Sequence, residues 1–114
     1  INSDVVFFDN NNSNTLKIIN KLNSRDYLIT LDESGRQLNS IKYADLIRQS
    51  MSNYVSIVLL VGDAYGIPIK IVNRANMSMS LSNMTLPHLI ARLVLVEQTY
   101  RAFTIINHHP YHHE

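Results

Sequence analysis

Apolar residues recur along the chain with two different periods, and the alternation between them predicts strands alternating with helices. Val5 to Phe8 is a short apolar run between polar residues, the mark of a buried strand. Ser13 or Asn14 can cap a following helix that carries Leu16, Ile19 and Leu22 on one face. Asp26 to Asp32 reads as a second strand closed by a turn at Glu33 to Arg36, after which Ser40 caps a helix directing Ala44, Ile47 and Met51 inward. Tyr54 to Val61 is rich in valine and isoleucine and apolar on both faces, so it belongs at the centre of a parallel sheet with helices above and below.

Beyond that strand the chain breaks at Gly62 to Gly66. Ile67 to Asn73 fits either a short helix begun at Pro68 or an extended link. Met77, Met79 and Leu81 alternate with serines and predict another strand. Leu86, Ile90, Leu93, Val96, Tyr100 and Phe103 share one face of a long final helix, capped at Thr85, while Val94, Leu95 and Ala102 make its other side apolar as well. A helix apolar nearly all round needs a second surface to cover it, and if both faces are buried a charge placed at Val94 or Leu95 is expected to leave a monomer. The whole pattern is that of a three-layer α/β domain with a mostly parallel sheet. Ligands of such sheets bind beyond the carboxyl ends of the strands, which singles out two loops, Gly62 to Gly66 and Ser82 to His88.

Composition narrows the chemistry. The chain has 114 residues, of which 46% are hydrophobic, enough for one core and therefore one domain spanning 1–114. It holds no cysteine, which removes disulfides, thiolate nucleophiles and cysteine zinc sites and leaves histidine and carboxylate as the metal ligands to consider. A net charge of +1 is too small to argue for nucleic acid from bulk electrostatics, so an RNA ligand would need a local basic patch or a partner subunit. No apolar run reaches membrane-spanning length and no secretory pattern stands at the N-terminus, so a cytoplasmic protein without membrane contact is expected.

Several groups carry candidate chemistry. Gly62 and Gly66 let the backbone approach a ligand closely, although neither a dinucleotide fingerprint nor a phosphate-binding loop is present. Ser82, Asn83 and Thr85 offer hydroxyl and amide groups suited to an adenine or ribose edge. Glu97 and Arg101 stand in the favourable order for an intrahelical ion pair. His108, His109, His112 and His113 crowd the end of the chain, but Pro110 prevents a helix from aligning them, and no metal site is expected.

Taken in order, Met84-Thr-Leu-Pro-His88, Arg92, the stretch from Leu95 to Phe103 and His109-Pro-Tyr-His112 resemble the C-terminal signature of the RlmH family, SPOUT-class large-subunit ribosomal RNA methyltransferases. The likeness extends upstream through Gly62 to Gly66 and Thr30 to Gly35. It implies a SPOUT-type fold with a C-terminal trefoil knot, a homodimer, and S-adenosylmethionine as cofactor in methylation of N3 of a pseudouridine in large-subunit rRNA within the ribosome. The alternative is a catalytically inactive knotted RNA-binding or ribosome-assembly module. By the resemblance, the family's N-terminal strand and helix are expected to be missing from this sequence, and its usual Gly-Gly pair is replaced by Gly62-Asp63.

Carried onto this chain, the resemblance implies cofactor contacts at Leu31, Gly62, Asp63, Gly66, Ser82, Asn83, Met84, Thr85, Leu86 and Pro87. His88, Arg101 and His109 are expected to bind substrate, and Tyr111, His112 and Arg92 to carry the chemistry, with no residue assigned as the base.

Overall fold

A computed structural model describes residues 4–9, 17, 20–62 and 67–113. Among the described residues these elements follow one another: β1 (Asp4–Asp9), β2 (Asp26–Gln37), α1 (Ser40–Asn53), β3 (Ser56–Val61), α2 (Ile69–Arg74), β4 (Met77–Ser80) and α3 (His88–Ile106), with Lys17, Asn20 and Lys21 helical as well between β1 and β2. The sheet order is β1-β3-β2-β4, with every pairing parallel. The central position expected for the Tyr54 to Val61 run is held by β3, flanked by β1 and β2. Its alternate side chains supply both faces. Ile57, Leu59 and Val61 enter the core under α1 and α3, whereas Val58 and Leu60 pack on the opposite side with Leu28 and Ile71 of α2. Each such fully buried aliphatic side chain contributes about 1.5–3 kcal/mol relative to exposure, and so the continuous apolar run takes the middle of the sheet.

Several local expectations are corrected. The predicted turn at Glu33 to Arg36 lies inside β2: Leu31 and Arg36 both face Met79, so residues 32–35 bulge out while the strand resumes beyond them. Gly35 makes the bulge possible, since a Cβ there would lie 2.8 Å from backbone atoms of Met79 and Ser78. The cap of α1 is Asn39, whose side-chain oxygen accepts from the Lys42 amide, while the Ser40 hydroxyl instead donates to Gln98 on α3 at 2.6 Å. The uncertain segment after Ile67 becomes the short helix α2. Arg74 ties its end to the start of β2 by donating to the carbonyls of Asn23 and Asp26.

The largest correction concerns α3. It starts at His88 after Pro87, so Thr85 is not its cap and Leu86 precedes it. Its inward face is Leu95, Thr99 and Ala102, packed on α1, and Ile90, Leu93, Val96 and Tyr100 of the predicted apolar stripe are exposed. Small and β-branched side chains on the inner face let the two helices approach, and Thr99 links them: its hydroxyl donates to the Leu95 carbonyl at 2.8 Å and so accepts from the Tyr43 phenol at 2.8 Å. Leu95 is 1% exposed, hence a charge there would break the core before it touched any dimer. Of the helix expected around Leu16 and Ile19, those two residues and the capping Ser13 or Asn14 lie outside the described residues. Leu22 packs half-buried on the α2 side of the sheet.

Candidate active site

The bulge of β2, the carboxyl end of β3 and the segment leading into α3 line a cavity of about 480 Å³. Its wall includes Leu31, Gly62, Ser82, Met84, Thr85, Leu86, Pro87 and His88, so the structure gathers most of the expected cofactor residues, together with one expected substrate residue, around one space. Asn83 is not in the wall; its side-chain oxygen accepts from Gln37 Nε2 at 2.6 Å. Asp63 and Gly66 lie outside the described residues. The sequence reading missed Asp32, Glu33, Val61, Ile67, Leu81 and Ala91, which also line the cavity. Asp32 and Glu33 could have been found from their place directly beyond Leu31, where the predicted strand ends and the bulge of β2 begins.

Hydrogen bonds shape the loop from Ser82 to Pro87. The Ser80 hydroxyl donates to the Ser82 carbonyl at 2.8 Å, and Ser82 Oγ accepts from the Met84 amide at 3.0 Å. The Thr85 hydroxyl donates to the Glu33 carboxylate at 2.6 Å. With the Gln37 to Asn83 bond, this fastens the loop to β2 at two points, one in the bulge and one where the strand resumes, a role for Thr85 that replaces helix capping. His88 Nδ1 lies 2.9 Å from the Gly62 carbonyl oxygen and joins the start of α3 to the end of β3.

A second cluster forms at the other end of α3. Asn107 caps the helix and His108 takes a left-handed conformation, φ 58°, with its amide on Ile105 O and that of His109 on Thr104 O. This paired reversal is the Schellman arrangement usually given to glycine, and it sends the tail back along the helix. Tyr111 meets Tyr100 edge to face at 4.9 Å, with the Arg101 guanidinium 4.9 Å over its ring. Arg101 is held by Glu97 at 2.7 Å and reaches His112 Nδ1 at 3.0 Å. The Glu97 hydrogen bond raises the arginine's already high pKa, so it is a permanent cation. His109 is exposed on the way, and the four terminal histidines form no cluster: among the described residues there is no group of three potential metal ligands.

The expected catalytic set is thus divided. Arg92 is on the first turns of α3, beside the cavity end, whereas Tyr111 and His112 pack against Tyr100 and Arg101, eight and nine residues further along, roughly 12–14 Å at the helical rise of 1.5 Å per residue.

The family description "Predicted SPOUT methyltransferase" matches residues 8–112. The chain belongs to the SPOUT methyltransferase family. Among curated SPOUT relatives, proteins named ribosomal RNA large subunit methyltransferase H align from Syntrophotalea carbinolica (46% identical, 84% of this chain and 62% of the relative) and Pseudothermotoga lettingae (42%, 84% and 63%). That of Bacteroides thetaiotaomicron is 40% identical over 85% of this chain and 62% of its own. The chain therefore spans a little over three-fifths of the length of these relatives. For a SPOUT methyltransferase domain the cavity is the place to test for a methyl donor, and its wall suits one. Aliphatic side chains such as Leu31, Val61 and Leu86 can cover a purine ring, hydroxyls of Ser82 and Thr85 can meet ribose, and the carboxylates of Asp32 and Glu33 can balance a cation.

Proposed function

We propose that the protein is an S-adenosylmethionine-dependent methyltransferase acting on N3 of a pseudouridine in large-subunit ribosomal RNA, in the cytoplasm and as a homodimer with a knotted C-terminal half. The observation that carries this reading is the cavity at the bulge of β2 and the carboxyl end of β3, walled by the loop from Ser82 to Pro87 and by His88, in a SPOUT chain whose relatives are named ribosomal RNA large subunit methyltransferase H. Its volume of about 480 Å³ falls inside the range of about 300–1,000 Å³ usual for small-molecule sites.

When bound, the cofactor supplies an electrophilic methyl group on a sulfonium. The chain supplies orientation, because an in-line transfer needs donor and acceptor held within contact distance before reaction. Loop Ser82 to Pro87 is braced by Glu33 and Gln37 for that purpose. Tyr111, Arg101 and His112 form a compact polar and aromatic group fit to stack on and hydrogen-bond a uracil ring. The distance along α3 keeps them from the cavity of their own chain. A second copy, docked on the exposed stripe of α3, brings its tail to the cavity and covers the apolar side chains at once.

Two measurements test the reading together: calorimetric titration with S-adenosylmethionine, and methyl incorporation into ribosomes that lack the modification. A chain deleted after Asn107 should bind cofactor as before and lose transfer, and chelator should leave the intact protein active. Cofactor binding absent at millimolar concentration would favour the inactive binding module instead.

A further inference from the structure

The net charge of +1 conceals a separation of charge. Residues 10–25 and 67–76 hold five of the ten Lys and Arg and none of the nine Asp and Glu, so these two segments carry +5 and the rest of the chain −4. The fold brings them to one face of the sheet. Leu22 from the first segment and Ile67, Ile71 and Ala75 from the second pack on Leu28, Val58 and Leu60, on the side opposite α1 and α3. Arg74 ties the segments together at the start of β2, donating from Nη2 to the carbonyl oxygens of Asn23 and Asp26 at 2.8 and 2.9 Å, and from Nη1 to Asn76 Oδ1 at 3.0 Å. Asn76 is itself fixed to β2, because the same Oδ1 accepts from the Leu28 amide at 2.8 Å.

With Arg74 holding the layer, the charges presented to solvent are Lys17, Lys21, Arg25 and Lys70, all exposed. Lys17 and Lys21 are helical and four apart, so they share one side of the helix. Arg25 sits on a turn in which its amide donates to Asn23 Oδ1 at 2.8 Å and the Asn23 amide donates to the Asp26 carboxylate at 3.0 Å. Lys70 is in the first turn of α2, three residues beyond Ile67, which lines the cavity. Acids are placed elsewhere: Asp32 and Glu33 at the cavity, and Asp45 and Glu97 on the opposite layer, paired with Arg48 and Arg101. Ile69 and Val72 are also exposed on α2, which gives the basic face aliphatic surface that can lie against ribose.

We propose that this face, through Lys17, Lys21, Arg25 and Lys70, is the docking surface for the phosphate backbone of the RNA that flanks the target nucleoside. This rests on the rRNA methyltransferase reading above and deepens it. An RNA backbone carries a negative charge at every nucleotide, and cations held on a packed layer neutralise it and release its counterions. Such contacts fix position and register without reading sequence, which leaves the choice of nucleoside to the cavity and the tail. The route is continuous, since α2 leads away from the cavity at Ile67, and a strand laid along it passes Lys70 on leaving the site. The face is also across the sheet from the exposed stripe of α3, so RNA and a second copy do not compete for one surface.

Two double variants that remove the same charge from opposite sides separate a docking surface from bulk electrostatics. Lys21→Gln with Lys70→Gln alters the proposed face; Arg36→Gln with Lys42→Gln removes two exposed cations from the side of α1. Binding of each protein to ribosomes that lack the modification is measured by co-sedimentation over a series of potassium chloride concentrations. The first double variant is expected to bind several-fold more weakly, with the slope of log affinity against log salt about 2 units shallower, and the second to bind like the unaltered protein. In methyl transfer the first should raise KM for ribosomes and keep kcat and cofactor affinity, a split that a damaged fold would not give. Unchanged binding by the first variant, or equal weakening in both, overturns the proposal. So does an unaltered protein whose binding to ribosomes is insensitive to salt. Tighter binding to phosphatidylserine vesicles than to ribosomes, lost in the first variant, would assign the face to a membrane and overturn it as well. If the unaltered protein binds ribosomes but transfers no methyl group, the methyltransferase reading fails while the sedimentation series still decides the docking face.

Discussion

At the scale of single residues, two side chains carry energetic consequences that can be measured directly. The Tyr43 phenol is buried between α1 and α3, and burial pushes its pKa up to about 12, only partly offset by the bond to Thr99. The native state therefore keeps this proton where the unfolded chain, titrating at the ordinary 10.0, has released it. Its contribution is complete below pH 10 and falls away as pH rises toward 12, by about 1.4 kcal/mol per unit. Urea unfolding across this range should show a loss of roughly 2–3 kcal/mol that Tyr43→Phe lacks, the variant costing about 1 kcal/mol at neutral pH. Parallel pH curves for the two proteins would sink the argument. His108 is the second case: its left-handed backbone, φ 58°, costs a non-glycine residue about 1–2 kcal/mol. Gly at this position should raise stability by about 1 kcal/mol and leave the tail in place, because the reversal is held by backbone bonds. A lower unfolding midpoint in His108→Gly would show that the imidazole itself contributes.

At the scale of elements, α3 is the informative one. Its apolar residues surround the helix, and one face is taken by α1 and the sheet, so Leu89, Ile90, Leu93, Val96 and Tyr100 are exposed in the single chain. Leu93 is 65% exposed, and Leu93→Glu should leave melting nearly unchanged while converting a dimer to monomer in sedimentation. Leu95→Glu should behave in the opposite way, losing about 3–5 kcal/mol because its carboxylate would be buried unpaired. A dimeric Leu93→Glu protein would move the interface to another face. Which of two apolar faces turns inward was not legible in the pattern, since periodicity reports that a face is apolar and not what covers it. The inner face was set by Thr99 and Ala102, small enough for α1 to lie close.

At the scale of the whole molecule, the separation of cavity and tail makes a prediction about mixed subunits. Gly62→Val places a side chain in the cavity wall, and His112→Asn disables the tail, so each homodimer should be inactive. Mixed and refolded at equal amounts, random pairing makes roughly half the dimers hybrid, each with one intact site, and about a quarter of the normal activity should return. No recovery would mean that cavity and tail act within one chain.

The amino-acid order alone determined the alternation of strands and helices, the central place of the Tyr54 to Val61 strand and the family, because each depends on local periodicity or on motifs read in succession. It also pointed to Gly62 and to the segment from Ser82 to His88, most of which lines the cavity, since strand ends are where an α/β sheet binds. Tertiary structure alone decided that Glu33 to Arg36 is a bulge and not a turn, because only the packing of Gly35 against the Met79 backbone shows β2 resuming its pairing with β4. It alone put Glu33 on the cavity wall and bonded it to Thr85. It also assigned the histidines: His108 to a helix end, His88 to a carbonyl and His112 to a guanidinium, partners 26 and 11 residues away in the last two cases. A side chain's proton is placed by the group it meets in space, and that meeting is not written in its neighbours along the chain.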